Sequence, residues 1–259
     1  MQYFKILYQK TIVQMLQYRG NYIFSLIFSA TPLLIAIFVW DSADISTQTG
    51  YNTKTIVLYY VLGLLIYELT FPEDIQWDFS NEIKMGKIEA YLTTPIDSRW
   101  RWITIALGRK SSSIYGRIPL LLLILVFMFK YHENLNGNLI IWLFIILLVL
   151  VLQILIALTV SCFTFWTQEV AGVYFFLITL SSFFSGRLFP LDLLPGKVEV
   201  LFRWTPFYYT MYFPVSYLLN PQGNHLIDFI GLVLWIIILF LLMGILWKKG
   251  LKKYNGAGG

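Results

Sequence analysis

The chain has 259 residues, of which 58% are hydrophobic and only 13% charged, and its mean hydropathy is +0.69. A soluble domain usually has about 25% charged residues, so this composition excludes a water-soluble globular protein and indicates a polytopic membrane protein. The formal net charge of +5 indicates basic cytoplasmic loops and no binding to nucleic acid. The single Cys162 lies in an apolar run, which excludes a disulfide framework and a cysteine metal site.

The first 20 residues are predicted to form an interfacial helix ahead of the first span. Lys5, Gln9 and Lys10 interrupt its apolar residues, so residues 1–20 lack the continuous apolar core of a signal peptide. An imperfect apolar face favours a helix that lies on the membrane surface. Contact with a cytoplasmic partner is the alternative interpretation.

Six apolar segments are long enough, or nearly long enough, to cross a bilayer as helices, since a spanning helix needs about 20 residues. They cover residues 21–40, 55–71, 112–129, 138–163, 170–185 and 227–247. The second and fifth segments are short and contain polar residues. The sequence therefore predicts an all-α polytopic membrane protein with one transmembrane domain over residues 1–259, in which residues 21–247 form a bundle of six transmembrane helices.

The distribution of Lys and Arg predicts how the chain is oriented, because cytoplasmic loops are enriched in both residues. With the N-terminus inside, most of the 19 basic residues fall in cytoplasmic segments. An even number of spans then places both termini in the cytoplasm. The end of the chain, residues 248–259, is a basic tail that begins KKGLKKY and suits the anionic lipids of the inner leaflet.

Glu68 is the charged residue placed deepest in a predicted span, in LLIYELTF toward the inner end of the second span. A carboxylate inside a membrane is costly and usually faces protein or water. Glu68 is therefore a candidate cavity acid for a cationic or polar substrate. The structural alternative is that it pairs with Arg117 or lies near the membrane interface. Glu169 and Asp228 stand at span ends, where solvated boundary residues are expected.

A compact charged segment, residues 81–102, separates the second and third spans on the predicted cytoplasmic side. Met85, Ile88 and Leu92 share one face at helical spacing, and Pro95 disfavours helix at the residue before it. This pattern predicts one short amphipathic helix that ends near Pro95. Its mixed charge argues mildly against a membrane surface, whereas its apolar ridge suits a groove on a protein partner. The residues themselves leave both possibilities open.

The stretch that follows the fifth span, residues 185–220, is apolar but interrupted. The interrupting residues are Gly186, Pro190, Pro195, Pro206 and Pro214. One straight spanning helix cannot accommodate them, so the sequence predicts short re-entrant helices on the outer side, between the fifth and sixth spans. The alternative is an ordinary outer loop with aromatic side chains at the membrane interface. Those side chains are Trp204, Phe207, Tyr208, Tyr209 and Tyr212.

No enzyme motif is recognisable in the sequence. His132 and His225 are the only histidines, both fall in predicted outer loops, and no cluster has the spacing of metal ligands. There is no G-x-S-x-G elbow and no phosphate-binding loop, although GRKSSS at residues 108–113 resembles the end of such a loop. We therefore expect the chain to bind no metal or cofactor and to hydrolyse no nucleotide itself.

Several stretches resemble one protein family, in the same order, along nearly the whole chain. IKMGKIEAYLTTPID at residues 83–97 resembles the Ile-x-x-Gly-x-Ile/Leu-x-x-x-Leu-x-x-Pro-Ile pattern of type-2 ABC exporter permeases. SGRLFPLDLLP at 185–195 and TPFYYTMYFPVSYLL at 205–219 are similar to the outer motifs of these permeases. FTFWTQEVAGVY and the ending GLKKYNGAGG resemble a bacterial branch whose permease is commonly encoded beside a second, different permease and an ATPase.

The resemblance implies a transport subunit of the bacterial cytoplasmic membrane. In this family two permeases pack together above two ATPase subunits, which hold the ATP and Mg²⁺, and the helix between spans two and three couples ATP-driven closure to the spans. The implied ATPase-coupling residues are Glu82, Lys84, Gly86, Lys87, Glu89, Leu92 and Pro95. The N-terminal helix would lie at the interface beside them.

The resemblance also implies where substrate passes. The implied outer gate contains Gly186, Leu188, Phe189, Pro190, Leu191 and Pro195. Substrate would move between the two permeases, chiefly along the second and fifth spans. Branch similarity favours a hetero-dimer of permeases, and a homo-dimer is the alternative.

Two other classes of function are compatible with a hydrophobic chain of this size. A membrane enzyme acting on lipids would need polar groups clustered at a span end, and the sequence shows no such cluster. An ion-coupled carrier, or a non-transporting scaffold, is the other alternative; a carrier usually has internal repeats or several buried charges. The sequence therefore favours the exporter permease over both.

Overall fold

The computed structural model describes residues 2–16, 53–72, 74–92, 97–130, 138–167, 170–220 and 225–254, together with Thr31 and Phe38. In this part of the chain the structure is helical and has no β-strand, which confirms the predicted all-α class. The helices are α1 Gln2–Leu16, α2 Thr53–Thr70, α3 Ile75–Lys84, α4 Glu89–Leu92, α5 Ser98–Lys130, α6 Leu139–Ser161, α7 Ala171–Phe184, α8 Gly196–Arg203, α9 Tyr212–Leu219 and α10 His225–Lys253. Short 3₁₀ turns follow α6, precede α8 and precede α9.

Three helical stretches among the described residues are long and apolar enough to cross a membrane. They are Thr55–Lys84, which joins α2 to α3, Leu139–Phe165 and His225–Lys253. Two shorter apolar helices, Arg117–Val126 and Ala171–Phe184, coincide with the third and fifth predicted spans. The first predicted span, residues 21–40, lies outside the described residues except for Thr31 and Phe38. The chain is therefore a membrane protein, and the count of six spans stays a prediction.

Helix α6 lies at the centre of the described core. Asn138 caps its N-terminus by accepting hydrogen bonds from the backbone N–H groups of Ile140 and Ile141, as an Asn in this position is expected to do. One face of α6 packs against α2, α3, α9 and α10, and Trp142 donates its indole N–H to the Pro214 carbonyl at 2.9 Å. The opposite face exposes apolar side chains such as Leu143 and Leu147, which is what lipid contact requires.

Helix α5 begins at Ser98, well before the predicted third span at residue 112. Asp97 accepts a hydrogen bond from the Arg99 backbone N–H at 2.9 Å and another from its guanidinium, and so caps the helix. The hydrogen bond from the Arg99 side chain also holds the pKa of the Asp97 carboxyl below its usual range. A helix of 33 residues is about 50 Å long, so α5 extends well beyond a bilayer.

Helix α1 covers Gln2–Leu16, within the predicted interfacial segment. It packs along α5, and the Tyr8 hydroxyl donates a hydrogen bond to Ser111 Oγ at 2.6 Å. Ile6 and Val13 remain exposed on its other side. The helix is therefore held by α5, a contact that the sequence does not indicate, and its position on a membrane surface stays a prediction.

Candidate functional site

The charged segment between α2 and α5 stands on a helix that is firmly packed. Helix α3 buries Phe79, whose ring centroid lies 4.8 Å from that of Trp102 on α5 and 5.5 Å from that of Trp247 on α10. Ile75 and Ile83 are buried on the same helix. Aromatic pairs at these distances add to the free energy of burial. A displacement of α3 would therefore act directly on two long helices.

Helix α3 ends at Lys84, and Gly86, two residues further on, has a φ of 73°. The Gly86 N–H donates to the Ile83 carbonyl at 3.2 Å, and the Lys87 N–H donates to the Glu82 carbonyl at 3.0 Å. These two bonds define a Schellman motif, in which glycine takes the left-handed position that other residues adopt only at a cost. The short helix α4 follows and starts at Glu89.

The prediction of one amphipathic helix running to Pro95 is therefore wrong, because the glycine break divides it. The predicted apolar ridge is divided as well, since Met85 is 61% exposed whereas Ile88 is fully buried. A glycine placed just after Lys84 is a helix-stop signal that the sequence already contained. The side chains of Leu92 and Pro95 lie outside the described residues, so their predicted docking role is untested.

The break presents four exposed side chains, which we call the charged surface: Lys84, Met85, Lys87 and Glu89. Of the other predicted coupling residues, Glu82 and Gly86 are half-buried beside it. The charged surface thus combines two cations, one anion and one apolar side chain on the outside of a segment whose inner side is packed against α5 and α10. This is suitable geometry for contact with another protein.

A polar cleft of about 410 Å³ adjoins the charged surface, between α1, α3 and α5. Its acidic side chains, Asp78 and Glu82, face a larger number of basic ones. The basic lining residues are Lys10, Lys87, Arg101 and Arg109. Arg109 forms an ion pair with Asp78, which joins α5 to α3. Lys10 comes from α1, so the N-terminal helix contributes to the lining of this cleft.

Glu68 forms a buried ion pair with Arg117, which links α2 to α5. Glu68 Oε2 lies 2.9 Å from Arg117 Nε, and the two side chains are 0% and 9% exposed. A buried carboxylate is tolerated when a cation compensates its charge. Glu68 is thus paired with Arg117, which is the structural alternative that the sequence suggested. It is not among the residues that line a cavity between α2, α6 and α7.

The predicted outer gate is held by two tyrosines of α2. Gly186 has a φ of 77° and follows α7. Its carbonyl accepts a hydrogen bond from the Tyr59 hydroxyl at 2.7 Å, and the Leu188 carbonyl accepts one from the Tyr60 hydroxyl at 2.9 Å. A Cβ atom at position 186 would lie 2.5 Å from the Tyr59 oxygen, so both the backbone angle and the close approach require glycine.

The remaining predicted gate residues continue this turn. Pro190 and Leu191 are buried, Phe189 is half-buried, and Leu188 and Pro195 are exposed. No sequence motif marks Tyr59 or Tyr60 as gate residues. Each hydroxyl donates to a backbone carbonyl about 130 residues further along the chain, and a contact of this kind produces no local sequence pattern.

Two short helices, α8 and α9, occupy the stretch between the fifth and sixth predicted spans. Their depth in a membrane, and hence the re-entrant arrangement, stays a prediction. The alternative of an interfacial aromatic belt is wrong for Tyr208, Tyr209 and Tyr212, because all three are buried. Of the other two predicted belt residues, Trp204 is 76% exposed and Phe207 is half-buried, so for these two the belt stays a prediction.

Asp228 is not the solvated boundary residue that its position at a span end predicted. It is only 4% exposed, and its Oδ1 lies 3.2 Å from Arg203 Nε. Arg203 also lies 3.5 Å from Glu199, whose pKa is raised by burial, and its carbonyl accepts a hydrogen bond from Tyr209. This cluster ties α8 to α10. Glu169, the other predicted boundary residue, lies outside the described residues.

A second cavity, of about 180 Å³, lies between α2, α6 and α7. Ser185 and Arg187 also line it, from the turn that follows α7, which we call the outer turn after its predicted position. We call this cavity the membrane cavity. Tyr60 and Tyr67 line it from α2, Gln153 from α6 and Ser181 from α7. Gln153 also donates a hydrogen bond to Thr70 Oγ1 at 2.7 Å. The second and fifth predicted spans thus border one cavity.

The apolar helices mark a helical membrane protein, in which α2, α6 and α7 border a cavity. The family model described as ABC-2 family transporter protein matches residues 26–258, and the chain belongs to this family. It is therefore a membrane permease component of an ABC transporter, a subunit distinct from the ATPase with which such permeases normally work. No curated protein matches the chain. The family resemblance inferred from the sequence is confirmed at this level.

Proposed function

We propose that this chain is the permease subunit of an ATP-driven exporter in a bacterial cytoplasmic membrane, with both termini in the cytoplasm. It forms the substrate path with a second permease and couples through residues 82–95 to separate ATPase subunits. ATP and Mg²⁺ bind to those ATPase subunits, and this chain binds no cofactor. The observation that carries the proposal is the charged surface, which stands on a helix packed into the bundle.

The coupling role rests on how α3 is built. Its buried side is fixed to α5 and α10 through Phe79, and the segment from its last residue to the start of α4 exposes Lys84, Met85, Lys87 and Glu89. A partner that binds these exposed residues and moves would push on packed aromatic rings. Because packed side chains resist deformation, the movement would pass to the long helices instead of being absorbed locally.

Helix α2 offers a physical connection from the coupling segment to the outer gate. It leads into α3 at one end, and near the other end Tyr59 and Tyr60 hold the backbone of the outer turn. Between these points Glu68 ties it to Arg117 of α5. We infer that a shift of α2 changes the outer turn and the membrane cavity together, as alternating access requires.

The pairing with a different permease follows from the branch that the sequence resembles. Helix α7 exposes Phe175, Phe176 and Phe183, an apolar face that either lipid or a second permease can cover. A hetero-dimer is proposed, and a homo-dimer is the alternative.

The carrier and lipid-enzyme alternatives require ionisable groups that are free to face a water-filled path or a reacting headgroup. Glu68 and Asp228, both buried, lie against Arg117 and Arg203 respectively. Neither carboxylate lines the membrane cavity. The described acids therefore serve better as links between helices than as proton carriers or catalysts.

Purification of the tagged chain from its native cells tests the assembly. In mild detergent we expect an ABC ATPase and a second, different permease to co-purify, identified by mass spectrometry and absent when an unrelated tagged membrane protein is purified in the same way. Recovery of the ATPase with this permease alone would replace the hetero-dimer by a homo-dimer. Recovery of the intact chain with no ATPase, after cross-linking in the membrane, would contradict the proposal.

Labelling of single cysteines tests the orientation. A cysteine in place of His225 is expected to react with a membrane-impermeant maleimide added to intact cells, and a cysteine in place of Lys253 only after the cells are permeabilised. Cys162 is fully buried, so the unchanged chain should give little background. A cysteine in place of His132 provides a second outer position. Labelling of the two histidine positions only from inside would overturn the proposed topology.

A further inference from the structure

The membrane cavity has one formally charged lining residue among the residues described, and that residue is a cation. Arg187, in the outer turn, contributes it. No Asp or Glu is found in the part of the lining that the structure describes. Inside a low-dielectric membrane the sign of a single charge dominates the potential of a small cavity. The cavity is therefore electropositive.

Arg187 differs from four of the other described arginines in what it contacts. Arg99, Arg109, Arg117 and Arg203 each form an ion pair with a carboxylate. The Arg187 guanidinium instead lies over the Tyr67 ring, 4.4 Å from its centroid, and forms no ion pair within the described part of the chain. Stacking of this kind covers a face of the guanidinium and leaves the N–H groups along its edge for an anion.

The rest of the lining separates into polar and aromatic parts. Hydroxyl groups of Ser181, Ser182 and Ser185, with the Gln153 amide, also line the cavity and supply hydrogen-bonding groups. Tyr67 and Phe71, whose ring centroids are 4.7 Å apart, form an aromatic wall. A ligand that satisfied both parts would carry a polar group at one end and a flat or apolar body at the other.

We infer that the membrane cavity binds substrates that carry an anionic group, a carboxylate, phosphate or sulfonate, attached to an aromatic or apolar body. Arg187 binds the anion and Tyr67 and Phe71 contact the body. At about 180 Å³ the cavity is smaller than pockets for drug-sized ligands, which are roughly 300–1,000 Å³. It therefore takes the anionic end of the substrate. The inference rests on the proposed function, because it treats this cavity as part of the transport path.

Three naphthalene probes that differ in one substituent test the inference: naphthalene-2-sulfonate, naphthalene-2-methanol and 2-naphthylmethylammonium. Binding is measured by equilibrium dialysis to the full-length chain, with the subunits that co-purify, in phosphatidylcholine nanodiscs, and corrected with empty discs. We expect the sulfonate to bind about tenfold more tightly than the other two, since a hydrogen bond to a charged group contributes about this much. Equal affinity of the original protein for the three probes would overturn the inference.

Three variants locate the anion site. Arg187→Gln is expected to lower sulfonate affinity about tenfold and to leave the alcohol unchanged, whereas Arg187→Lys keeps most of the preference. Lys249→Gln removes an exposed charge from α10 and should change nothing. Unchanged sulfonate binding by an Arg187→Gln protein with normal elution in gel filtration would refute the role of Arg187.

A final binding measurement identifies whether the anionic group belongs to a lipid or to a smaller molecule. The sulfonate measurement is repeated in discs that contain phosphatidylglycerol, corrected with empty discs of the same composition. Displacement of the probe assigns the anionic group to a lipid substrate, and undiminished binding assigns it to a smaller amphiphile. None of these binding measurements requires ATP. If the chain bound the anionic probe but recruited no ATPase, only the proposed function would be refuted. An ATPase-bound complex without anion preference would refute only this inference.

Discussion

Replacement of Glu68 by Leu is expected to destabilise the protein by about 3–5 kcal/mol, since it leaves the Arg117 guanidinium buried without its counter-charge. Arg117→Met should have an effect of similar size, because the carboxylate is then the uncompensated charge. The double variant, Glu68→Leu with Arg117→Met, buries no charge and is expected to return to within about 1 kcal/mol of the original protein. Equilibrium unfolding in mixed micelles of mild detergent and SDS measures all three.

Asp97→Asn is the matched control for this cycle. It breaks an ion pair between the Arg99 and Asp97 side chains, which are 24% and 34% exposed, and ion pairs near the surface contribute about 1 kcal/mol or less. Strong non-additivity is expected for the Glu68 and Arg117 changes, because the two groups touch. If the two single effects simply add, the pair does not stabilise the bundle.

Simultaneous replacement of Lys87 by Glu and Glu89 by Lys is expected to reduce recovery of the ATPase with this chain more than tenfold. Both side chains are exposed, and reversed charges would face like charges on a complementary partner, which costs several kcal/mol. Membrane insertion should be normal, since neither side chain contributes to the buried side of α3. Quantitative immunoblotting of the co-purified ATPase, normalised to the chain, gives the result.

A companion variant, Met85→Ala, distinguishes charge from apolar contact on the same surface. Met85 is exposed, so its truncation should not affect folding, and it should weaken the complex only if the partner buries that side chain. Lys253→Glu, an exposed reversal at the end of α10, serves as the control for a general change in charge. Full ATPase recovery after the double reversal would count against a docking role for Lys87 and Glu89.

Composition and hydrophobic length were sufficient to predict the class of the protein. The predicted spans at residues 55–71, 138–163 and 227–247 correspond to the helical stretches that can cross a membrane. This agreement has a physical reason, because a spanning segment must satisfy its own backbone hydrogen bonds and present apolar side chains to lipid. Both requirements are met within one stretch of about 20 residues.

Boundaries were predicted less well where polar helix surface packs against protein. Helix α5 starts at Ser98 and not at residue 112, because its polar N-terminal part packs against α1 and α3. A hydropathy pattern predicts a loop for such polar residues, even where they form a helix. The break at Gly86 is the opposite case, since the glycine signal was present locally but the apolar spacing of Met85, Ile88 and Leu92 was preferred to it.

The sequence by itself determined that the chain is a helical membrane protein, that it resembles ABC permeases and that a charged segment interrupts its apolar helices. Only the tertiary structure decided what the charges do. Glu68 lies against Arg117 and Asp228 against Arg203, whereas Arg187 lines a cavity whose described lining contains no carboxylate. The reason is physical: hydropathy and helix signals act between near neighbours in the chain, but the partner of a buried charge is set by which helices pack together.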